Sequence, residues 1–153
     1  MVIGILFVCT GNTCRSPMAV GVMRSLVRRA GVEHAVQIGS AGTGVRHAGQ
    51  PPSPLALKAA ACCGHDIAGH RSRPLTADDI ARFTHPLAMA QTHLAALRAL
   101  APPGLAERPR MFGDHDVADP HGGSAQDYER ALDLIEAGCV GLLAHLRATL
   151  EKS

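Results

Sequence analysis

Residues 2–17 constrain the fold more than any other stretch, reading Val-Ile-Gly-Ile-Leu-Phe-Val-Cys-Thr-Gly-Asn-Thr-Cys-Arg-Ser-Pro. The apolar run at residues 2–8 is continuous rather than alternating, the pattern of a parallel strand covered on both faces. Polarity then switches. Residues 9–15 form a polar turn containing Gly11 and Asn12, the residue types that most readily accept positive φ. Ser16 followed by Pro17 reads as a helix N-cap and first helical position, so the turn delivers the chain directly into a helix.

A strand, a tight polar loop and a helix N-terminus make a holder for an anion, because successive backbone N–H groups converge and the helix dipole adds positive potential. This loop adds a thiol. Cys9 stands at its start, where that field favours the thiolate, and Arg15 closes it with a planar fork suited to two oxygens of one phosphate. A hydrogen bond from the Ser16 hydroxyl would favour the thiolate further. The pattern points to a nucleophile aimed at phosphorus, with neither metal nor other cofactor required.

With its Cys9-x5-Arg15-Ser16-Pro17 near the N-terminus and Asp119-Pro120 far downstream, the chain resembles the low-molecular-weight protein tyrosine phosphatases. The resemblance spans essentially all of residues 1–153 and implies one phosphatase domain. It implies a three-layer α/β fold in which helices flank a central four-stranded parallel sheet, with the phosphate-binding loop after the first strand. Phosphotyrosine hydrolysis would then run through a cysteinyl-phosphate on Cys9. Arg15 and the loop residues Thr10, Gly11, Asn12, Thr13, Cys14 and Ser16 would bind the phosphate. Asp119 would serve as general acid and then base, since the family places that role at an Asp-Pro before the last helix and this is the only Asp-Pro present. The family pattern also implies a polar network through Asn12, Ser16, Ser40 and His70 that holds the loop in a strained shape.

Composition agrees with a globular enzyme. Hydrophobic residues make up 46% and charged residues 18%, and a net charge of +2 carries no basic run joined to an aromatic platform, so nucleic acid is not an expected partner. No apolar run approaches the roughly 20 residues that span a bilayer, and residues 1–8 lack the pattern of a secretory signal. A cytoplasmic location is expected. Cysteines at 9, 14, 62, 63 and 139 form neither a disulfide framework nor paired zinc knuckles. The partner expected is a phosphorylated protein substrate, an autophosphorylating tyrosine kinase being one candidate, and the oligomeric state is left open.

Periodicity sets the rest. A helix is expected over 17–30, stopped by Gly31, then a strand over 35–38 running into Gly39-Ser40-Ala41-Gly42 and a Gly- and Pro-rich loop at 43–54. Residues 54–63 read as a helix ended by Gly64, and residues 76–79 as a capping-box start. Residues 87–89 are a weak strand with Pro86 before it, residues 91–100 a helix, residues 110–112 a last strand and residues 113–123 a polar loop. Ser124 caps a long final helix whose middle Gly138 and Gly141 weaken. At least one of Cys62 and Cys63 is expected in the core, and Cys139 likewise. Alternating strands and helices give a parallel sheet with the first loop at its carboxyl edge, where such sheets bind ligands.

Some positions depart from the family pattern. Where it commonly places aromatic pocket walls, this chain has Arg46 and His121, and Ala90 stands where an Asp usually follows Ala-Met. Thr13, with Gly122-Gly123-Ser124, matches the protein-arginine phosphatases of the same family, which makes phosphoarginine the second-ranked substrate. Arsenate reduction ranks lower, because the adjacent Cys62-Cys63 pair does not fit the spaced shuttle cysteines it needs. Asp114 and Asp116 read as solvated loop charges or weaker acid candidates. Asp114-His115-Asp116 has a metal-like composition but no second ligand group at helical spacing. Cys14 is close enough in sequence to Cys9 for a protective disulfide, a role the resemblance also supports.

Overall fold

The computed structural model describes residues 2–151. Four parallel strands, β1 (Ile3–Cys9), β2 (Val36–Gly42), β3 (His85–Ala88) and β4 (Arg110–Met111), lie in the order β2-β1-β3-β4. Around them run α1 (Arg15–Arg29), α2 (Pro54–Cys62), α3 (Ala77–Arg82), α4 (Gln91–Leu100) and α5 (Ala125–Glu151). The chain leaves β1 toward β2 on one side and later returns to place β3 on the other. The carboxyl end of β1 is therefore the switch point of a doubly wound sheet, where a crevice opens.

Every residue of β1 is buried, as its unbroken apolar run requires. Ile3, Ile5 and Phe7 face one layer, packing with Met18 and Met23 of α1 and Leu132 and Ile135 of α5. Leu6 and Val8 face the other, with Ile80, Phe83, Leu94 and Leu97. Each fully buried side chain of this size stabilises the fold by about 1.5–3 kcal/mol relative to an exposed one, so β1 is the shared wall of both cores.

Several element boundaries differ from the sequence reading for local reasons. α1 begins at Arg15 rather than Pro17, and its N-cap is Cys14, which supplies no side-chain bond. Ser16 is thus not the N-cap: its hydroxyl is turned to the phosphate loop, leaving backbone geometry to start the helix. β3 starts at His85 and includes Pro86, which stands opposite Leu6 of β1 but one residue ahead of the pairing with β4. The missing N–H therefore costs no ladder bond on the β4 side. The capping box is present, with Thr76 Oγ1 accepting from the Asp79 N–H and Asp79 Oδ2 accepting from the Thr76 N–H.

Cys62 and Cys63 are both exposed, against the expectation that one would be core, because α2 buries Ala56, Ala59 and Ala60 instead. Cys139 is buried, as expected, and burial pushes its thiol well up. Gly138 has a packing purpose. A Cβ there would overlap the Phe112 ring, which stacks edge-on against Phe7 at 5.6 Å between centroids. Gly141 has open space around it.

Candidate active site

The loop after β1 is held from below through Asn12. Asn12 is fully buried and has φ 58°, and no other non-glycine among the described residues has positive φ. Its Nδ2 donates to Ser16 Oγ at 2.8 Å and to Ser40 Oγ at 3.0 Å, while its Oδ1 accepts from the Arg73 N–H at 2.9 Å. Its carbonyl accepts from His70 Nε2 at 2.6 Å, which fixes that imidazole's tautomer. Burial, with Arg24 and Arg71 nearby, pulls the His70 pKa below its ordinary value despite that bond, so His70 is a neutral donor near pH 7. All four residues of the expected network are joined. The sequence reading missed Arg73, which also forks onto Asp79 at 3.0 and 2.9 Å.

The network sets the direction of one proton. Because Asn12 donates to Ser16 Oγ, the Ser16 hydroxyl hydrogen is free for Cys9 Sγ at 3.0 Å. Burial pushes the Cys9 thiol up. Opposing it are the Ser16 hydroxyl and N–H, the Arg15 guanidinium and the Asn12 N–H, all of which favour the thiolate. The positive end of α1, which starts beside the sulfur at Arg15, works in the same direction.

Arg15 is buried, and residues of two segments hold it. Nη1 donates to the Val117 carbonyl at 2.9 Å, and Nη2 lies 3.5 Å from Thr10 Oγ1 and 3.6 Å from Asp119 Oδ2. Val117 is placed in turn by its N–H donating to Met89 O at the end of β3. Asp119 is half-exposed at the pocket mouth, and its Oδ1 accepts from the His121 N–H at 3.0 Å. Asp116 is neither free nor aimed at the pocket: its Oδ1 accepts from the Gln91 N–H at 2.9 Å, capping α4 where Ala90 supplies no side-chain cap.

Two further contacts escaped sequence reasoning. His93, in the first turn of α4, is 2% exposed, and its Nε2 lies 2.8 Å from Thr10 Oγ1. Burial first, then Arg15, lowers its pKa to about 4. The signal was faint, since a histidine in an ordinary helical stretch reveals itself only once β3 is known to adjoin β1. Cys14, a free thiol like Cys9, has its sulfur 3.3 Å from Ser53 Oγ and 3.4 Å from the Tyr128 hydroxyl.

The resulting cavity, of about 540 Å³, is lined by Cys9, Thr10, Gly11, Thr13, Cys14 and Arg15 at its floor and by Arg46, Asp119 and His121 at its mouth. Asn12, Ser16, Ser40 and His70 form the support behind it. Close approach of β2 to the loop requires Gly42, whose Cβ would overlap the Thr10 carbonyl and Val45.

A doubly wound sheet whose first loop brings a sulfur, an arginine fork and a helix N-terminus together at the switch point defines an α/β phosphate-binding protein with a thiol in its site. The family model for low molecular weight phosphotyrosine protein phosphatase matches residues 4–152, and the chain belongs to that family. A low molecular weight protein-tyrosine-phosphatase of Streptomyces coelicolor is 38% identical over 157 residues, covering 96% of this chain and 95% of its own. The crystal structure of YfkJ from Bacillus subtilis superposes with a TM-score of 0.90 at 31% identity, covering 97% of each chain. The arginine phosphatase YwlE, solved as a Cys-to-Ser variant with its active-site serine phosphorylated, gives 0.87 at 30% identity over 95% of this chain and 96% of its own.

Proposed function

We propose that this chain is a protein-tyrosine phosphatase that hydrolyses phosphotyrosine through a cysteinyl-phosphate on Cys9. The observation that carries the reading is the directed chain Asn12 Nδ2 to Ser16 Oγ to Cys9 Sγ, which spends one buried network on stabilising a thiolate at the floor of the cavity. Cys9 Sγ attacks phosphorus, forming the S–P bond as the bond to the phenolic oxygen breaks. Loop N–H groups and Arg15 hold the equatorial oxygens. Asp119 gives its proton to the leaving oxygen, then as carboxylate takes one from the water that attacks phosphorus, releasing phosphate and the thiolate. His70 and Ser40 keep the loop's shape and do not touch the substrate. The substrate is a phosphorylated protein, an autophosphorylating tyrosine kinase among the candidates. A chemistry that needs a reduced thiol suits the cytoplasm, and no described helix is long and apolar enough to cross a membrane.

Phosphoarginine is the second reading. The likeness to YwlE and a β-branched Thr13 lining the cavity favour it. Steady-state hydrolysis of matched phosphotyrosine and phosphoarginine peptides, with Cys9→Ser as control, decides between them. Faster Cys9-dependent turnover of phosphotyrosine is expected. Faster turnover of phosphoarginine would reverse the order, and no Cys9-dependent turnover of either would refute both.

A further inference from the structure

The floor of the cavity accounts for a phosphoryl group, but the mouth is unexplained by it. A phosphoryl group is a few times the roughly 30 Å³ share of a liquid water, while the cavity holds about 540 Å³. No Phe, Tyr or Trp side chain lines it. A substrate ring therefore meets a guanidinium and two imidazoles there instead of a Phe, Tyr or Trp wall, and the groups that receive the ring can also receive an anion beside it.

Hydrogen-bond donors dominate the mouth, with Arg46 as its permanent cation. Arg46, His47 and His121 line it and are exposed. Among the described residues the side chains of these three make no hydrogen bond or ion pair. The one acid of the lining, Asp119, is already turned toward Arg15 at 3.6 Å. An unpaired guanidinium and two imidazoles thus surround the entrance, each able to donate to an oxyanion.

The loop that presents Arg46 is anchored. Ser72 is buried, and its hydroxyl donates to His47 O at 3.0 Å and accepts from the Gln50 N–H at 3.0 Å. Backbone bonds from Gly49 N to Ser72 O at 2.7 Å and from Ser72 N to Gln50 O at 2.8 Å complete the clasp. Arg73, the next residue, holds Asn12. The cationic rim and the phosphate loop are therefore fastened to the same short segment, and the guanidinium is offered from a fixed base beside the floor. The backbone is thus ordered in advance, and the Arg46 side chain alone is left to order on binding.

We infer that this rim selects phosphorylated peptides carrying a second anionic group close in sequence to the scissile phosphoryl group, with Arg46 as the main specificity determinant. This rests on the phosphatase reading and deepens it. The second group is a carboxylate or another phosphate; both present oxygens that a guanidinium binds bidentately. A guanidinium or ammonium on the substrate meets repulsion at the same place, which weighs for phosphotyrosine over phosphoarginine.

The test uses the full chain and four phosphotyrosine peptides that differ only beside the phosphorylated residue, with neutral, Asp/Glu, second phosphotyrosine or Lys flanks. At low salt kcat/KM for the acidic peptide should exceed that for the neutral one by about 3–10-fold, with the Lys peptide below both. The ratio should fall toward one in 0.5 M NaCl, a concentration that shortens the Debye length to about 4 Å. Arg46→Glu should bring the acidic-to-neutral ratio to one or below. Whichever of the acidic and doubly phosphorylated peptides gains more identifies the source of the anion. A wild-type ratio of one, or a ratio that survives Arg46→Glu, overturns the inference. If no peptide shows Cys9-dependent turnover, the phosphatase reading fails instead. Calorimetric binding of the same peptides to Cys9→Ser then still tests the rim, and equal affinity for acidic and neutral peptides overturns it.

Discussion

Asn12→Asp changes one atom of the network and reverses one proton. The side chain keeps its shape, its tolerance of φ 58° and its Oδ1 bond from the Arg73 N–H. What it loses is the Nδ2 donor that reaches Ser16 Oγ at 2.8 Å and Ser40 Oγ at 3.0 Å. A carboxylate oxygen in that place accepts, so the Ser16 hydroxyl turns its hydrogen toward residue 12 and away from Cys9 Sγ. Loss of one hydrogen bond to a charged sulfur removes about 1.5–3 kcal/mol of preference for the thiolate, and the new negative charge acts in the same sense. At pH values below its titration, Cys9 should react with iodoacetamide about 10–100-fold more slowly than in the parent protein. Because Cys62 and Cys63 are exposed and react as well, the rate is followed by mass spectrometry on the Cys9 peptide. Ser16, Ser40 and the Arg73 N–H together offer the carboxylate three donors, so circular dichroism should report an intact fold. An intact fold with an unchanged Cys9 alkylation rate would refute the directed-proton account.

Asp119→Asn keeps the contact with Arg15 but carries no transferable proton, and kcat for phosphotyrosine should fall by about 10²–10⁴-fold. The loss should shrink for aryl phosphates with good leaving groups, a dependence that a merely structural role would not give. His93 is neutral when folded, with a pKa of about 4 against about 6.5 unfolded. The unfolded chain therefore binds a proton first as pH falls. Stability is unaffected by this group above pH 6.5 and drops between pH 6.5 and 4 by up to about 3 kcal/mol, so denaturant titrations of His93→Gln should show a flatter pH dependence across that window than the parent protein. In α5, Gly138→Ala should destabilise by about 1–3 kcal/mol as its methyl meets Phe112, whereas Gly141→Ala, in open space, should stabilise by up to about 1 kcal/mol. Thermal melts of the two variants moving in the same direction would contradict this packing.

The parts of the molecule legible in the sequence are those whose signals are local. A continuous apolar run can serve only as a doubly covered strand, and β1 is one. The loop that follows declared its shape through Gly11 and Asn12, and Asn12 takes the positive φ. Ser16 carries two local readings, helix N-cap and partner of the Cys9 sulfur, and the structure keeps only the second, because Ser-Pro at a strand-helix junction carries the same local signal for either. Only the position of Cys9 Sγ, 3.0 Å away, separates the two. Cys62 and Cys63 were misplaced because an Ala-rich helix has no periodicity to say which of its faces is buried.

What stayed hidden is what the sheet order brings together. His93 meets Thr10, Val117 meets Arg15 and Asp116 caps α4 because β3 lies beside β1, a placement that no spacing in the chain encodes. Asp116 illustrates the consequence. The sequence has Ala90 where its family usually has an acid, which reads as a loss when positions are compared one by one. The α4 N-terminus still has a carboxylate, delivered from 25 residues further along the chain by the same loop that carries Val117 and Asp119. That loop is thereby tied at Met89, at Gln91 and at Arg15. A cap supplied from the loop, and not from residue 90, therefore serves α4 and at the same time tethers the segment that bears the proposed general acid.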